Sequence, residues 1–385
     1  MSTAFLTHSG PKQTVIQAAS RILVVGGAGY IGSVLVRDLL ADGYEVRVLD
    51  SLIYGEESLQ DLASHPRFAL RRGDFRRVED VVRAVRGVDA VIHLGGIVGD
   101  MACAFDENQT LQTNVAATRL LAEVCRALEA GRFLFASTCS VYGAASSPVD
   151  ERSALKPLSL YAASKADAER LLLAARSPGF HPSILRLATA FGWSFRPRFD
   201  LVVNLLAAKA AVEKQIVIYN REQWRPFIHV ADISRAFRAV LAAPVKRVSG
   251  EIFNVGSNRM NATLGQLAER IAAVSTGLQI DYVDNPDARS YRPSFEKIRQ
   301  ALGFECAMSL ESGIREIQSA LRCGLITSYE EPRYHNAKQA CLRRGELPKE
   351  KEYPFTALAF APNSAWSGRE GAAATGQGTG AAPAV

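Results

Sequence analysis

The sequence has few residues of the kinds that cross-link small proteins or bind metals. Its six cysteines, at positions 103, 125, 139, 306, 323 and 341, lie far apart without a C-x-x-C pair, and its six histidines do not cluster. This spacing argues against a disulfide framework and predicts no metal site. Scattered cysteines are typical of a reducing compartment, and we expect a cytoplasmic protein.

Long apolar runs and dense blocks of charge are also missing. No apolar stretch reaches the ~18 residues that a membrane-spanning helix needs. Residues 1–20 contain no apolar segment of the kind found in signal peptides. The net charge is +6, but the most basic stretch, RRGDFRR at 71–77, is interrupted by Asp74. We therefore expect no membrane and no nucleic-acid partner.

What the chain does contain is a regular alternation of strand-like and helical segments. Its 385 residues, 48% of them apolar, can bury a large core. The patterns predict strands at 21–27, 44–50, 68–74, 88–96, 132–138 and 181–189, and helices at 31–43, 78–86, 107–130 and 161–175. Alternating strands and helices predict an α/β fold with a doubly wound parallel sheet of the Rossmann type.

The first predicted strand leads into a glycine-rich turn, VVGGAGYIG, with Gly26, Gly29 and Gly32. Glycines at this spacing permit a tight turn, a close approach of backbone to a pyrophosphate, and close packing of helix on strand. The helix that follows presents free N–H groups to phosphates. Asp50 ends the second strand, where a carboxylate can bind ribose hydroxyls and would repel a 2′-phosphate. No arginine follows in SLIYG, so the sequence favours NAD over NADP.

Beyond about residue 190 the pattern becomes mixed. Helices are predicted near 199–213, 230–242, 263–275 and 310–322, and strands at 215–219 and 251–256. We expect a flexible arm at 1–20, an NAD-binding Rossmann domain at 21–190, and a smaller mixed α/β substrate-binding lobe at 191–345, from which some segments return to the first domain. The tail at 346–385 is predicted to be disordered at least from 367, where the sequence is rich in Gly and Ala.

A second motif, YAASK, places Tyr161 and Lys165 four residues apart on one helical face. A tyrosine that removes a hydroxyl proton needs a lowered pKa, which a nearby ammonium and a cationic nicotinamide ring would provide. The motif follows STCSVYG at 137–143, in which the predicted fifth strand ends at Thr138. Thr138 is therefore predicted to hydrogen-bond the substrate hydroxyl from which Tyr161 removes the proton.

Together these motifs resemble the extended short-chain dehydrogenase/reductases, in particular the nucleotide-sugar epimerases and dehydratases. The resemblance rests on the following segments, in the family's order over roughly 21–325: GGAGYIG (26–32), LDSLIYG (49–55), GD (73–74), HLGG (93–96), Asn114, STCSVYG (137–143), YAASK (161–165), RPFIHVAD (225–232) and FNVGS (253–257).

The resemblance implies a tightly held NAD that oxidises a sugar carbon, usually C4, to a transient ketone. It implies that Tyr161 is the base, that Lys165 holds the nicotinamide ribose, and that Thr138 assists at the sugar oxygen. The implied cofactor contacts are Gly26, Gly29, Tyr30, Ile31, Gly32, Asp50, Asp74, Phe75, Leu94, Gly95, Gly96, Asn114, Ser137, Tyr161, Lys165 and Leu187. The implied substrate contacts are Asp100, Thr138, Cys139, Thr189, Asn204, Arg225 and Arg289.

The residues after Thr138 bear on the reaction. Dehydratases of the family carry an Asp-Glu pair there and decarboxylases usually a glutamate at the second position, whereas this chain has Cys139 and Ser140. A neutral thiol and a serine make a poor acid/base pair. Epimerisation at C4 needs no such pair and is favoured.

Other readings stay open. A 4,6-dehydratase, a 4-ketoreductase, a decarboxylase and a non-enzymatic dinucleotide sensor are the alternatives, although a sensor would typically lack the tyrosine. A catalytic role of Cys139 is a further open point. The resemblance also implies a homodimer formed through the helices predicted at 107–130 and 161–175.

Overall fold

The computed structural model describes residues 20–343 and Gly345. Its strands are β1 (Arg21–Val25), β2 (Glu45–Asp50), β3 (Phe68–Arg72), β4 (Ala90–His93), β5 (Arg132–Thr138), β6 (His181–Leu187), β7 (Thr189–Phe191), β8 (Gln215–Tyr219), β9 (Trp224–His229), β10 (Ile252–Val255), β11 (Asn261–Thr263) and β12 (Gln279–Val283). Nearly all of the predicted arm and the whole predicted tail lie outside the described residues.

The helices lie between these strands and after the last of them. They are α1 (Gly32–Ala41), α2 (Val78–Val85), α3 (Asp100–Phe105), α4 (Glu107–Leu111), α5 (Ala117–Ala127), α6 (Leu160–Ala174), α7 (Val202–Val212), α8 (Val230–Ala242), α9 (Val245–Val248), α10 (Leu264–Ala272), α11 (Glu296–Leu302), α12 (Leu310–Arg322) and α13 (Asn336–Arg343). A π-helical turn, Gln112–Ala116, joins α4 to α5, so the predicted helix 107–130 is interrupted.

Seven strands of the described chain form a parallel sheet in the order β3-β2-β1-β4-β5-β6-β10. Both faces are buried: Ile22 and Val24 of β1 pack into one core with α1 and α8, and Leu23 and Val25 into another with α2, α5 and α6. Burial on both faces explains why the strands are continuous apolar runs. The predicted doubly wound fold is confirmed.

The order of the strands reverses between β1 and β4, the switch point where ligands bind in open α/β sheets. The strand predicted at 251–256 among the lobe's elements is β10, which extends this main sheet beside β6. The sequence pattern missed β7, β9, β11 and β12. Strands β11, β9 and β7 form a small second sheet, and β12 pairs with β8.

The lobe has a core of its own beside the sheet. Apolar side chains of α7, α10 and α12 meet there with those of β8, and Phe191, Phe199 and Phe227 are fully buried among them. Within the described part of the chain, no helix combines the length and apolar character that a membrane crossing requires.

Candidate functional site

A cavity of about 570 Å³ lies at the carboxyl edge of the main sheet and continues into the lobe. Fourteen of the sixteen predicted cofactor contacts line it: Gly26, Gly29, Tyr30, Ile31, Gly32, Asp50, Asp74, Phe75, Leu94, Gly95, Gly96, Ser137, Tyr161 and Leu187. Of the predicted substrate contacts, Asp100, Thr138 and Thr189 line it as well. The fold therefore gathers most of the predicted site around one space.

The glycine-rich turn has no room for larger residues. Gly26 has a φ of +82°, and a Cβ there would lie 2.8 Å from the backbone nitrogen of Gly95. A Cβ on Gly32 would lie 2.4 Å from the carbonyl oxygen of Gly26. The turn thus brings bare backbone to the cavity where α1 begins, which suits a phosphate.

Asp50 lies at the end of β2, beside this turn. Its carboxylate accepts hydrogen bonds from the backbone N–H groups of Ala28 at 2.9 Å and Leu52 at 2.8 Å. Burial raises the pKa of Asp50, and the two backbone hydrogen bonds partly offset that effect. At the next strand end, Asp74 forms an ion pair with Arg76. Both carboxylates line the cavity.

Lys165 and Asn114 lie behind the cavity wall. The Lys165 ammonium donates to the carbonyl oxygen of Ala136 at 2.9 Å. The Asn114 amide accepts from the N–H of Ile97 at 2.8 Å and donates to the Ile97 carbonyl at 2.9 Å, which fixes the loop after β4. Burial lowers the pKa of Lys165 to about 8. Gly96 lies between these two side chains and the cavity. A Cβ on Gly96 would lie 2.9 Å from Asn114 Oδ1, so only glycine leaves this space open.

His93 ends β4 in the same region, yet it is a core residue. It is fully buried, and its Nε2 lies 3.0 Å from Thr118 Oγ1. Because Thr118 donates its own proton to the Asn114 carbonyl, Nε2 of His93 is the donor in this pair. Burial lowers the pKa of His93 to about 3, so the ring is neutral.

A group of hydroxyls surrounds Tyr161. The Thr138 hydroxyl lies close enough to Tyr161 to lower its pKa. Thr138 Oγ1 donates to Ser140 Oγ at 3.1 Å, and Ser140 Oγ lies 3.3 Å from the hydroxyl of Tyr291. The side chain of Ser159 caps α6 by accepting from the N–H of Ala162, which fixes the start of the helix that carries Tyr161.

The pKa of Tyr161 depends on its burial and on several neighbouring groups. Burial raises the pKa of Tyr161 above its ordinary value, and Cys103 and Asp100 add to that effect. Arg198 and the nearby Thr138 hydroxyl lower it. Arg198, which the sequence analysis did not select, thus adds positive charge near Tyr161.

Two predicted substrate contacts do not reach the cavity. Cys139 begins a 3₁₀ turn, Cys139–Tyr142, that points its side chain into the core, where its thiol donates to the Arg186 carbonyl at 3.2 Å. Only 1% of Cys139 is exposed, and burial raises its pKa. Asn204 is also fully buried and accepts from the N–H of Gly192 at 2.9 Å. Both side chains support backbone.

Arg225 and Arg289 do not line the cavity either. Arg225 forms an ion pair with Asp287 at 3.3 Å, and Arg289 binds the same carboxylate at 2.6 Å. Arg289 also pairs with Asp100, which in turn accepts from Ser159 Oγ at 2.5 Å. The acidic partners explain why these arginines are held at the border between the lobe and α6.

The cavity has further charged walls that sequence reasoning missed. Arg196 and Arg198 line it from the loop after β7, and His335, Asn336 and Arg343 from the end of the described chain. The signal in the sequence was FRPRFD at 195–200, two arginines around a proline just after a predicted strand. Nothing in the pattern after residue 325 indicated that the chain returns to the site.

The residues of the cleft fit a dinucleotide. The turn at Gly26 and Gly32 excludes side chains next to the start of α1, and Asp50 can bind ribose hydroxyls. Leu94 and Gly95 at the end of β4 add an uncharged wall. Across the part of the chain that the structure describes, no group of three or more His, Cys, Asp or Glu side chains is placed to hold a metal ion.

The chain resembles known proteins in sequence. A sequence model described as the NAD dependent epimerase/dehydratase family matches residues 22–256. The chain is 32% identical over 315 residues to a dTDP-glucose 4,6-dehydratase of Streptomyces niveus, covering 77% of this chain and 91% of the relative. It is 30% identical over 332 residues to UDP-glucuronic acid decarboxylase 1 of Arabidopsis thaliana, covering 80% and 72%.

A solved structure extends the comparison to a third reaction. The UDP-glucuronic acid 4-epimerase from Bacillus cereus, in complex with UDP-glucuronic acid and NAD, superposes with a TM-score of 0.71 at 25% identity over 79% of this chain and 99% of its own. The relatives thus share a fold and differ in reaction. The chain belongs to the NAD-dependent epimerase/dehydratase family of extended short-chain dehydrogenase/reductases.

Proposed function

We propose that the protein is an NAD-dependent epimerase that inverts C4 of a nucleotide-activated sugar through a transient 4-keto sugar. The observation that carries the proposal is the row of hydroxyl groups next to Tyr161. Thr138, Ser140 and Tyr291 form a hydrogen-bonded row along one wall of the cavity. Such groups can hold the sugar with either face of its ring toward the cofactor, and they do not promote elimination.

Tyr161 is the proposed base. Tyr161 and Thr138 line the same cavity and lie close to each other, so one sugar oxygen can contact both hydroxyl groups. Bound NAD would supply the hydride acceptor, the hydride donor for the return step, and a cationic ring that favours the phenolate. Arg198 adds positive charge near Tyr161, and Lys165, which lies behind Gly96, would hold the cofactor's ribose.

Elimination of water would require an acid beside the departing hydroxyl. The carboxylates that line the cavity near Tyr161 are Asp100 and Asp200, and each is bound to an arginine. Burial opposes ionisation of Asp200, but Arg198 outweighs it and lowers the pKa of this carboxyl. A paired carboxylate of lowered pKa is a poor proton donor, which supports epimerisation over dehydration.

The lobe side of the cavity suits the nucleotide. Leu201, Val202, Leu205, Val217 and Tyr219 form an apolar wall there. A nucleobase can pack on such a surface, while the sugar extends toward Tyr161. The homodimer and the cytoplasmic location remain predictions from the sequence.

The second candidate is a nucleotide-sugar 4,6-dehydratase. It is favoured by the relative of 32% identity, which is named a dTDP-glucose 4,6-dehydratase. The two reactions differ in solvent exchange, because elimination removes a carbon-bound proton and 4-epimerisation does not.

The test is incubation of the full-length protein, loaded with NAD, with UDP- and dTDP-sugars in deuterated water. Products are identified by NMR and mass spectrometry. The proposal expects an epimer without carbon-bound deuterium and without net NADH. Deuterium at carbon together with loss of water would establish the dehydratase, and a net yield of NADH would establish a simple dehydrogenase.

A further inference from the structure

After α12 the chain turns back to the cofactor cleft. The N–H of Phe199 donates to the carbonyl of Tyr334 at 2.9 Å, and the amide of Gln339 donates to the carbonyl of Ile53 at 3.3 Å. Ile53 belongs to the loop after β2, and Phe199 to the loop after β7. The segment 331–343 therefore joins two loops that border the cavity.

Asn336 is the centre of this connection. Its side chain donates to the Val98 carbonyl at 3.0 Å and accepts from Arg196 Nη2 at 3.0 Å, and its N–H donates to Asp200 at 3.2 Å. Arg196 Nη2 donates also to the Arg333 carbonyl at 3.1 Å. The segment 331–343 thus holds one edge of the Arg196 guanidinium through neutral oxygen atoms.

Within the described chain, Arg196 is a buried cation with no carboxylate at ion-pair distance. It is 6% exposed, and its Nε has no hydrogen-bond partner. Its guanidinium lies 3.8 Å over the ring of Tyr54. Its neighbour Arg198, in contrast, binds both oxygens of Asp200 at 2.9 Å. Burial lowers the pKa of Arg196 to about 10, as expected for a cation whose charge is poorly compensated.

The loop that carries Arg196 rests on the glycine-rich turn. The backbone N–H of Arg196 donates to Ser194 Oγ at 3.3 Å, and Ser194 Oγ donates to the carbonyl of Tyr30 at 2.6 Å. Asp50 lies close enough to interact electrostatically with Arg196. Arg196 therefore faces the same part of the cavity as the start of α1, where a dinucleotide places its negative charge.

We propose that Arg196 is a further cofactor-binding residue, which donates to the pyrophosphate of NAD and is positioned for that contact by Asn336. An arginine at this position would add the positive charge that the glycine turn lacks. A clamp of this kind suits an enzyme that must keep one NAD through both hydride transfers. The proposal depends on the NAD cleft and not on the reaction proposed above, so either can fail alone.

The test is calorimetric titration of the full-length protein, freed of bound nucleotide, with NAD, ADP-ribose, adenosine, NADP and UDP. Loss of a charge-assisted hydrogen bond predicts that Arg196→Met weakens NAD and ADP-ribose by about 10- to 100-fold, with adenosine and UDP changed less than about twofold. Arg196→Lys should recover part of the loss. Unchanged NAD affinity, a loss confined to NADP, or a loss confined to UDP would overturn the proposal.

Two further variants separate positioning from folding. Arg299→Met removes an exposed charge of α11 that is paired with Glu296, and it should leave NAD affinity unchanged. Asn336→Ala should weaken NAD binding when Arg196 is present, but it should cause no further loss of affinity in the Arg196→Met variant. Fully additive losses would contradict the role of Asn336. Thermal unfolding without cofactor identifies any variant that fails to fold, and Arg196→Lys then carries the test.

Discussion

Glu169 of α6 and Arg186 of β6 form an ion pair in the interior, with 2% and 3% of their side chains exposed. Arg186 donates to both carboxylate oxygens, from Nε at 3.0 and 3.1 Å and from Nη2 at 2.7 Å. The hydroxyl of Ser137 donates to the same carboxylate. The pair therefore connects β5, β6 and the helix of Tyr161. Glu169→Gln keeps the shape but leaves the arginine charge buried and uncompensated.

Breaking a buried pair on one side typically destabilises by about 3–5 kcal/mol. For a chain of this size, that loss corresponds to a fall in Tm of about 4–7 °C. Urea unfolding followed by circular dichroism measures the free energy of unfolding directly, and calorimetry measures Tm. Replacing both partners, as in Glu169→Leu with Arg186→Met, should recover part of the loss because no charge is then left buried.

The matched control is on the same helix. Asp167 pairs with Arg170 at the surface, where 38% and 74% of the two side chains are exposed. Exposed pairs contribute about 0–1 kcal/mol, so Asp167→Asn should change the free energy of unfolding by less than that. If Glu169→Gln destabilised no more than Asp167→Asn, the argument that this pair secures α6 would be refuted.

Three further predictions concern the site itself. Burial lowers the pKa of His93 to about 3 in the folded protein, whereas the unfolded chain has about 6.5. Lowering the pH from 7 to 5 therefore protonates His93 in the unfolded chain alone and reduces the free energy of unfolding by about 2 kcal/mol. In urea unfolding, His93→Asn should lose that part of the pH dependence. Tyr161→Phe should lower kcat of the NAD-loaded enzyme by about 10²–10⁴-fold, while Tyr282→Phe, at an exposed tyrosine, retains full turnover; normal turnover of Tyr161→Phe would exclude it as the base. Gly26→Ala should destabilise by about 1–3 kcal/mol in thermal unfolding because of its positive φ, and an unchanged Tm would contradict the strain.

The main sheet was predictable because its strands are buried on both faces. RFLFA, within β5, reads as a continuous apolar run, and every residue of β5 is buried. Strand β9 was missed because its sequence, WRPFIH, mixes an arginine and a proline into the run. Strand β7 has only three residues, Thr189–Phe191, too few to form a pattern. Strands could be predicted where they are long and uniformly buried.

The site was predictable where motif and backbone coincide. Gly26 and Tyr161 are fixed by a turn and a helix start that local sequence specifies. The direction of Cys139 depends on the 3₁₀ turn after Thr138, which spacing alone does not reveal. Arg196 depends on contacts across more than a hundred residues of sequence, with Asn336 at the far end. Long-range partners of this kind leave no periodicity to read.

The central claim is that a hydride leaves C4 of the sugar and returns to the same carbon from the other face. It is tested most directly with a nucleotide sugar carrying deuterium at C4, converted in ordinary water by the NAD-loaded enzyme. We expect the deuterium to be found on C4 of the epimer, with none in the solvent or in released NADH. Deuterium on C6 of a dehydrated product, or on free NADH, would contradict the account.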